Sequence, residues 1–251
     1  INNIEMQRDK WVYKNMYTIV IRGGTPMKLQ YLGHSSFMLL GSGFKAVFDP
    51  FLSGNPSAAI KPNQIKDLTH IFVTHGHGDH IGDTIDLARE NKALVISNAE
   101  ISNYLSEHGL RTHGMHIGGR YTFDFGRVKM TPALHGSSIP TSKGPRDGGN
   151  PCGFVVEIEG KKLYHAGDTG LTMDMKLLEI ENIDVALLPI GGNYTMDIQD
   201  AVRAVEFIKP RLTVPMHYNT FPLIKADPEE FKAKNKWSDT RILKIGETME
   251  Y

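Results

Sequence analysis

Short apolar runs broken by glycine turns open the readable part of the chain. Residues 29–31, 37–40 and 46–48 are brief runs of strand-forming residues separated by Gly33-His34-Ser35-Ser36 and Gly41-Ser42-Gly43, which predicts a meander of short strands. Asp49-Pro50 closes it, and a loop rich in Ser, Asn, Pro and Gly runs to about Asn63. Residues 71–73 then read as a buried strand. The spacing of Ile81, Ile85, Leu87 and Ala88 predicts a helix over 81–91, followed by a strand at 94–97 and a second helix at 99–107. Strands resume at 121–125 and 128–133. Residues 136–151 are turn formers almost throughout, a long loop of the kind more often functional or disordered than merely connective. A hairpin across Gly160 pairs 154–159 with 162–164. After it come a helix around 173–181, a strand at 185–188, a helix at 198–208, a strand at 212–214, a helix at 228–236 and a last strand at 241–245. Alternating strands and helices put the chain in the α/β class.

Residues 1–26 show no such alternation. They end in Gly23-Gly24-Thr25-Pro26, just ahead of Met27, and read as an extension outside the domain, with Met27 as the natural start.

Chemistry concentrates in Thr74-His75-Gly76-His77-Gly78-Asp79-His80, directly after the strand at 71–73. His75 and His77 are two apart, so on an extended backbone they project to one side and can share a cation. Asp79 and His80 come a turn later and can address a second. Gly76 and Gly78 permit the tight path that such crowding requires. A helix cap built on Asp79 is the plainer alternative, but a cap does not need three histidines interleaved with glycine. Imidazole and carboxylate donors suit zinc, manganese or iron. His135, Asp168 and His217 each stand just past a predicted strand, as His75 does, and strand ends on one edge of a sheet sandwich converge.

Composition narrows the partners. Lys+Arg and Asp+Glu both total 28, so the net charge is zero and no electrostatic footprint for nucleic acid or an anionic membrane exists. Hydrophobic content of 40% and charged content of 22% are those of an ordinary globular protein. No run approaches the ~18 apolar residues of a membrane span. Tyr17-Thr18-Ile19-Val20-Ile21 falls short of the ~7 to 15 residues of a secretory core. Cys152 is the one cysteine, which leaves no internal disulfide and fits a reducing compartment; its neighbours Gly153-Phe154-Val155-Val156 predict a buried thiol. A cytoplasmic protein acting on a small molecule is expected, with homo-oligomerisation left open.

The six residues from His75 to His80, with a later histidine, Gly167-Asp168-Thr169 and a histidine after a strand, resemble the metallo-β-lactamase superfamily. Tyr31-Leu32-Gly33-His34-Ser35, Asp49-Pro50-Phe51, Pro151-Cys152-Gly153-Phe154, His165-Ala166-Gly167-Asp168-Thr169-Gly170 and Pro215-Met216-His217-Tyr218-Asn219-Thr220 are similar, more narrowly, to the metal-dependent hydrolases grouped with ascorbate-6-phosphate lactonase. The resemblance implies a four-layered αβ/βα sandwich over 27–251. It implies two divalent ions, zinc first and manganese next. His75, His77 and His135 would hold one, Asp79, His80 and His217 the other, with Asp168 bridging them and Asp49 supporting the histidine loop from behind.

The implied activity is hydrolysis of a small ester-like substrate by a metal-bridging hydroxide, with a lactone or phosphorylated sugar lactone as the analogy. A phosphodiesterase is the nearest alternative. A mononuclear-iron oxidoreductase, reusing His75, His77, His135 and Asp168, is another. Asp79 is the candidate proton shuttle. His34, Tyr218 and Asn219 are candidate substrate contacts, as is Tyr194. Lys143 and Arg146 in the long loop are candidates for a phosphate or carboxylate, with simple solvation as the alternative. His165 is expected to support the site without ligating, and His70, His108, His113 and His116 are assigned no chemistry.

Overall fold

The alternation within the first strands divides the protein into layers. The computed structural model describes residues 26–251, so the expectation for 1–26 lies, but for Pro26, outside the described residues. Strands β1 (Lys28–Gly33), β2 (Ser36–Gly41) and β3 (Phe44–Phe48) form an antiparallel meander, and β4 (His70–Phe72), β5 (Leu94–Asn98) and β6 (Thr112–Met115) extend it in parallel. Along β2 and β3, Phe37, Leu39, Phe44, Ala46 and Phe48 turn to one face, and Met38 and Val47 to the other. Both faces are buried, which is why these strands read as nearly continuous apolar runs. On the outer face Met38, Val47, Ile71 and Val95 pack with Leu87 and Ala88 of α2 (Thr84–Asn91) and Ile101 and Leu105 of α3 (Ala99–Glu107).

The inner face meets a second sheet. It begins with β7 (Arg120–Phe123) and β8 (Gly126–Pro132) and continues, after the short pair β9 (Ser138–Ile139) and β10 (Arg146–Asp147), with β11 (Cys152–Ile158) and β12 (Lys161–His165), all antiparallel. Strands β13 (Val185–Pro189), β14 (Leu212–Met216) and β15 (Asp239–Thr240) then add in parallel. The last strand, β16 (Thr248–Glu250), crosses back to pair with β1, so each sheet has seven strands. Met130, Phe154, Val156 and Leu163 of the second sheet share one core with Phe37, Phe48 and Phe72 of the first. Its outer side is covered by a 3-10 segment (Met173–Glu181), α4 (Ile198–Ile208) and α5 (Pro228–Lys234), with Ala201, Ala204, Val205, Ile208 and Phe231 fully buried. Helix, sheet, sheet, helix is the expected four-layered α/β sandwich. Among the described residues no helix is long and apolar enough to cross a membrane.

Four local expectations change. The helix predicted over 81–91 is two helices, α1 (Gly78–Ile81) and α2, because a Cβ at Gly82 (φ +33°) would sit 2.4 Å from the Pro50 carbonyl oxygen. The segment at 173–181 winds as a 3-10 helix, whose period of three puts Met175, Leu178 and Glu181 on one buried line. β6 was not predicted: it lies at a sheet edge, where one paired side and few apolar residues suffice. The final strand lies at 248–250, not 241–245.

Candidate metal centre

Both sheets direct the ends of their strands to one place. β3 delivers Asp49, β4 the loop from Thr74 to His80, β8 His135, β12 Asp168 and β14 His217, while the turn between β1 and β2 adds His34. His34, Asp49 and His217 hold positive φ angles of 58°, 42° and 53°, a conformation that non-glycine residues adopt at a cost. Backbone bonds pin them there: Asp49 N–H donates to the Phe72 carbonyl at 2.9 Å, and His217 N–H to the His34 carbonyl at 2.9 Å.

Asp49, wholly buried, organises the first-sheet side. Its carboxylate accepts the Thr74 N–H at 2.8 Å, the Thr74 hydroxyl at 2.7 Å and His80 Nδ1–H at 2.8 Å. With its proton given to Asp49, the Thr74 hydroxyl is left to accept His75 Nδ1–H at 3.0 Å. Each ring is thereby oriented with Nε2 toward the site. His75 Nε2, His80 Nε2 and Asp168 Oδ1 are buried without a hydrogen-bond partner, an arrangement costing about 1–3 kcal/mol per atom if nothing fills it. His80 Nε2 lies 3.3 Å from Asp168 Oδ1, and His217 Nε2 2.9 Å from Asp168 Oδ2. His135 Nε2 lies 3.7 Å from Asp168 Oδ2 and 3.3 Å from His77 Nδ1.

Among the described residues three sets of donors result: His75, His77 and His135; His75, His80 and Asp168; and His34, Asp79, His80 and His217. Within each, the ligand atoms lie within 4.8 Å of one another. Burial disfavours a charged His80, but the Asp168 and Asp49 carboxylates outweigh it and hold its pKa well above the usual value. Burial also works against ionised Asp168, and the neighbouring His217 and His80 overcome it, holding that carboxyl well below its usual range. His75 is pushed well down, by burial first and then by His80. A positive charge is thus favoured between His80 and Asp168. Buried imidazole nitrogens converging on the Asp168 carboxylate fit a divalent cation.

The sequence-predicted contacts divide. His34 does not face the cavity: its side chain is fully enclosed, taking the Thr220 hydroxyl on Nδ1 at 3.0 Å and donating Nε2–H to Asp79 Oδ2 at 3.2 Å. Burial lowers its pKa to about 4 in spite of the Asp79 bond. Asp79 is held well below its usual range because the His34 bond overcomes burial. Tyr218 is half-buried against the core, and Asn219 uses its side-chain oxygen on the Ala226 N–H at 3.0 Å, so neither lines the cavity. Tyr194 does line it.

The long loop is not a lid. Ile139 is buried, and a Cβ on Gly76 would come within 2.7 Å of its Cγ1, so this segment braces the histidine loop. Asn98 ties it down through the Gly148 and Asn150 carbonyls at 2.7 and 2.9 Å. Arg146 pairs with Glu107 at 2.6 and 2.7 Å instead of waiting for an anion, and Lys143 sits exposed in a turn. His165 joins none of the donor sets; it links the sheets by donating to the Ser35 carbonyl at 2.9 Å. Cys152 is buried, with its thiol on the Thr74 carbonyl at 3.2 Å.

A cavity of about 580 Å³ opens above these groups, with His77, Asp79, His135, Asp168 and His217 at its base and Tyr194, Phe221, Pro222 and Leu223 around it. The last three were missed by the sequence reading; the available signal was a run of apolar residues following the loop of His217.

The beta-lactamase superfamily domain matches residues 44–218. The chain belongs to the metallo-β-lactamase superfamily. Within it, this hydrolase is 60% identical over 226 residues to the UPF0173 metal-dependent hydrolase of Alkaliphilus metalliredigens, a match spanning 90% of this chain and 100% of that one. The corresponding protein of Carboxydothermus hydrogenoformans is 53% identical over 212 residues, covering 84% and 92%. Among solved structures it is similar to Igni18, a metallo hydrolase from the archaeon Ignicoccus hospitalis, with a TM-score of 0.83 and 38% identity over 90% of this chain and 99% of that one. The superfamily member described here is therefore a metal-dependent hydrolase.

Proposed function

We propose that this hydrolase holds two divalent cations, with His75, His77 and His135 on one, Asp79, His80 and His217 on the other and Asp168 shared, and that it cleaves an ester-like bond, as in a lactone, of a small molecule. The observation that carries the reading is the trio of buried, partnerless atoms His75 Nε2, His80 Nε2 and Asp168 Oδ1 meeting from two sheets. An all-imidazole and carboxylate donor set favours zinc, then manganese. Bound there, such cations supply an activated water near neutral pH and polarise the scissile carbonyl.

The chain's own residues do the rest. Asp49 fixes the tautomers of His80 and, through Thr74, of His75. Asp79, with 31% of its side chain exposed and its carboxylate held ionised by His34, is positioned to take a proton from the attacking water and return it to the leaving oxygen. Enclosure of Asp168 and His217 keeps bulk water away from the donors. A cytoplasmic location belongs to the same proposal, supported by a single buried cysteine.

Elemental analysis of protein purified without added metal, run beside a panel of lactones, thioesters and phosphodiesters, tests it. Two equivalents of zinc or manganese with turnover of lactones or esters, lost in His77→Ala, is the expected result. One iron with no hydrolysis would replace this reading with oxidative chemistry, and turnover confined to phosphodiesters would reassign the substrate.

A further inference from the structure

The cavity over the candidate ligands has an apolar side that the other described residues leave exposed. Leu223 is 64% exposed and Tyr194 52% exposed, and both line the cavity with Phe221. Large apolar side chains left open on a mobile loop would mean little, but this loop is fastened. Asn219 N–H donates to the Ile224 carbonyl at 2.8 Å, its Oδ1 accepts the Ala226 N–H, and Ile224 is fully buried against Gly191. Thr220, between His217 and the exposed residues, is buried with its hydroxyl on His34. The loop therefore presents Phe221 and Leu223 at a fixed place beside the ligands.

Charge completes the argument. Among the described residues no Lys or Arg lines the cavity. Arg146 is committed to Glu107, and Lys225 lines a different cavity. A phosphate carried away from the scissile bond would find no cationic side chain among the described residues, whereas a hydrocarbon group would find Tyr194, Phe221, Pro222 and Leu223.

We propose that Tyr194, Phe221 and Leu223 form an apolar subsite for the uncharged alkyl or aryl group attached to the scissile carbonyl, so that the substrates are unphosphorylated hydrophobic esters or lactones. The proposal rests on the hydrolase reading above for the reaction, not for the binding. Zinc-loaded protein is titrated calorimetrically with straight-chain carboxylates from acetate to octanoate, which have the chemistry of the products. Affinity is expected to rise by up to about fourfold per methylene until the cavity is filled. Leu223→Asp should flatten that slope and Leu223→Met should keep it; Leu223 is exposed, so neither variant threatens the fold. The same lengths are then offered as p-nitrophenyl esters, whose KM should follow the binding slope. A flat binding series, or no binding of octanoate, overturns the subsite. Preference for a phosphorylated sugar lactone over an alkyl-substituted lactone overturns it as well. A clear slope with no turnover of any ester supports the subsite and defeats the ester-cleavage reading instead.

Discussion

Asp49 never reaches the cavity, yet two imidazoles take their orientation from it. Replacing it with Asn keeps an acceptor for the Thr74 N–H but weakens the charged partner of His80 and disturbs the Thr74–His75 link. Asp49→Asn should lower metal affinity by about 10- to 100-fold, read by chelator competition; unchanged affinity would remove Asp49 from its orienting role. His34 spends its Nε2–H on Asp79. His34→Asn, chosen because Asn tolerates the positive φ at this position, should reduce kcat with metal content intact, since Asp79 loses its anchor. A loss of metal in step with activity would show that His34 belongs to the ligand set. The proton between His80 and Asp168 has its own signature. The Asp168 and Asp49 carboxylates outweigh burial and raise the pKa of His80 in metal-free protein, so a proton held there would have to leave when a cation binds. Calorimetric heats of metal binding at pH 7 should therefore vary with the ionisation enthalpy of the buffer, corresponding to release of about one proton, and affinity should weaken as pH falls. Heats independent of buffer would contradict this.

At the same scale, the four metal-capable residues of the histidine loop were legible because their chemistry is local in sequence, and His135, Asp168 and His217 because each follows a strand end. Their convergence in the structure answers to that placement. Phe221 and Leu223 were not legible, because an apolar residue becomes part of a cavity only through the path of its loop. Tyr218 and Asn219 show the converse: they follow His217 directly, yet one turns to the core and the other to its own backbone.

Elements explain what the chain could and could not announce. Glycine marked the break between α1 and α2 at Gly82, but only its contact with the Pro50 carbonyl made the break obligatory. The segment at 173–181, expected simply as a helix, carries its buried residues Met175, Leu178 and Glu181 at a period of three, the spacing of a 3-10 helix. The loop over 136–151 has the composition of a mobile lid, and tertiary contacts turned it into a brace. Gly76→Ala tests that brace. Its Cβ would press on Ile139, costing about 1–3 kcal/mol by crowding, while Ile139→Ala alone costs about 2–5 kcal/mol by leaving a cavity. The double variant should be less destabilised than the sum of the two, because removing Ile139 makes room for the new methyl. Strict additivity in denaturant melts would place the two residues out of contact.

At the scale of the whole molecule, each sheet is a meander continued by parallel strands, and each aims its strand ends at the shared site. Stripping the cations should lower stability by mass action, about 4 kcal/mol per site loaded at a thousandfold excess over Kd, and Tm by on the order of 10 °C. A melting temperature indifferent to chelation and readdition would argue against tight binding at this place. Every one of the three donor sets draws on both halves of the chain: His135 completes the first, Asp168 the second and His217 the third. Neither half alone assembles any of them. Loading of a complete donor set is accordingly expected late in folding, once the sheets have closed on each other, and its rate in refolding protein should report the docking of the halves.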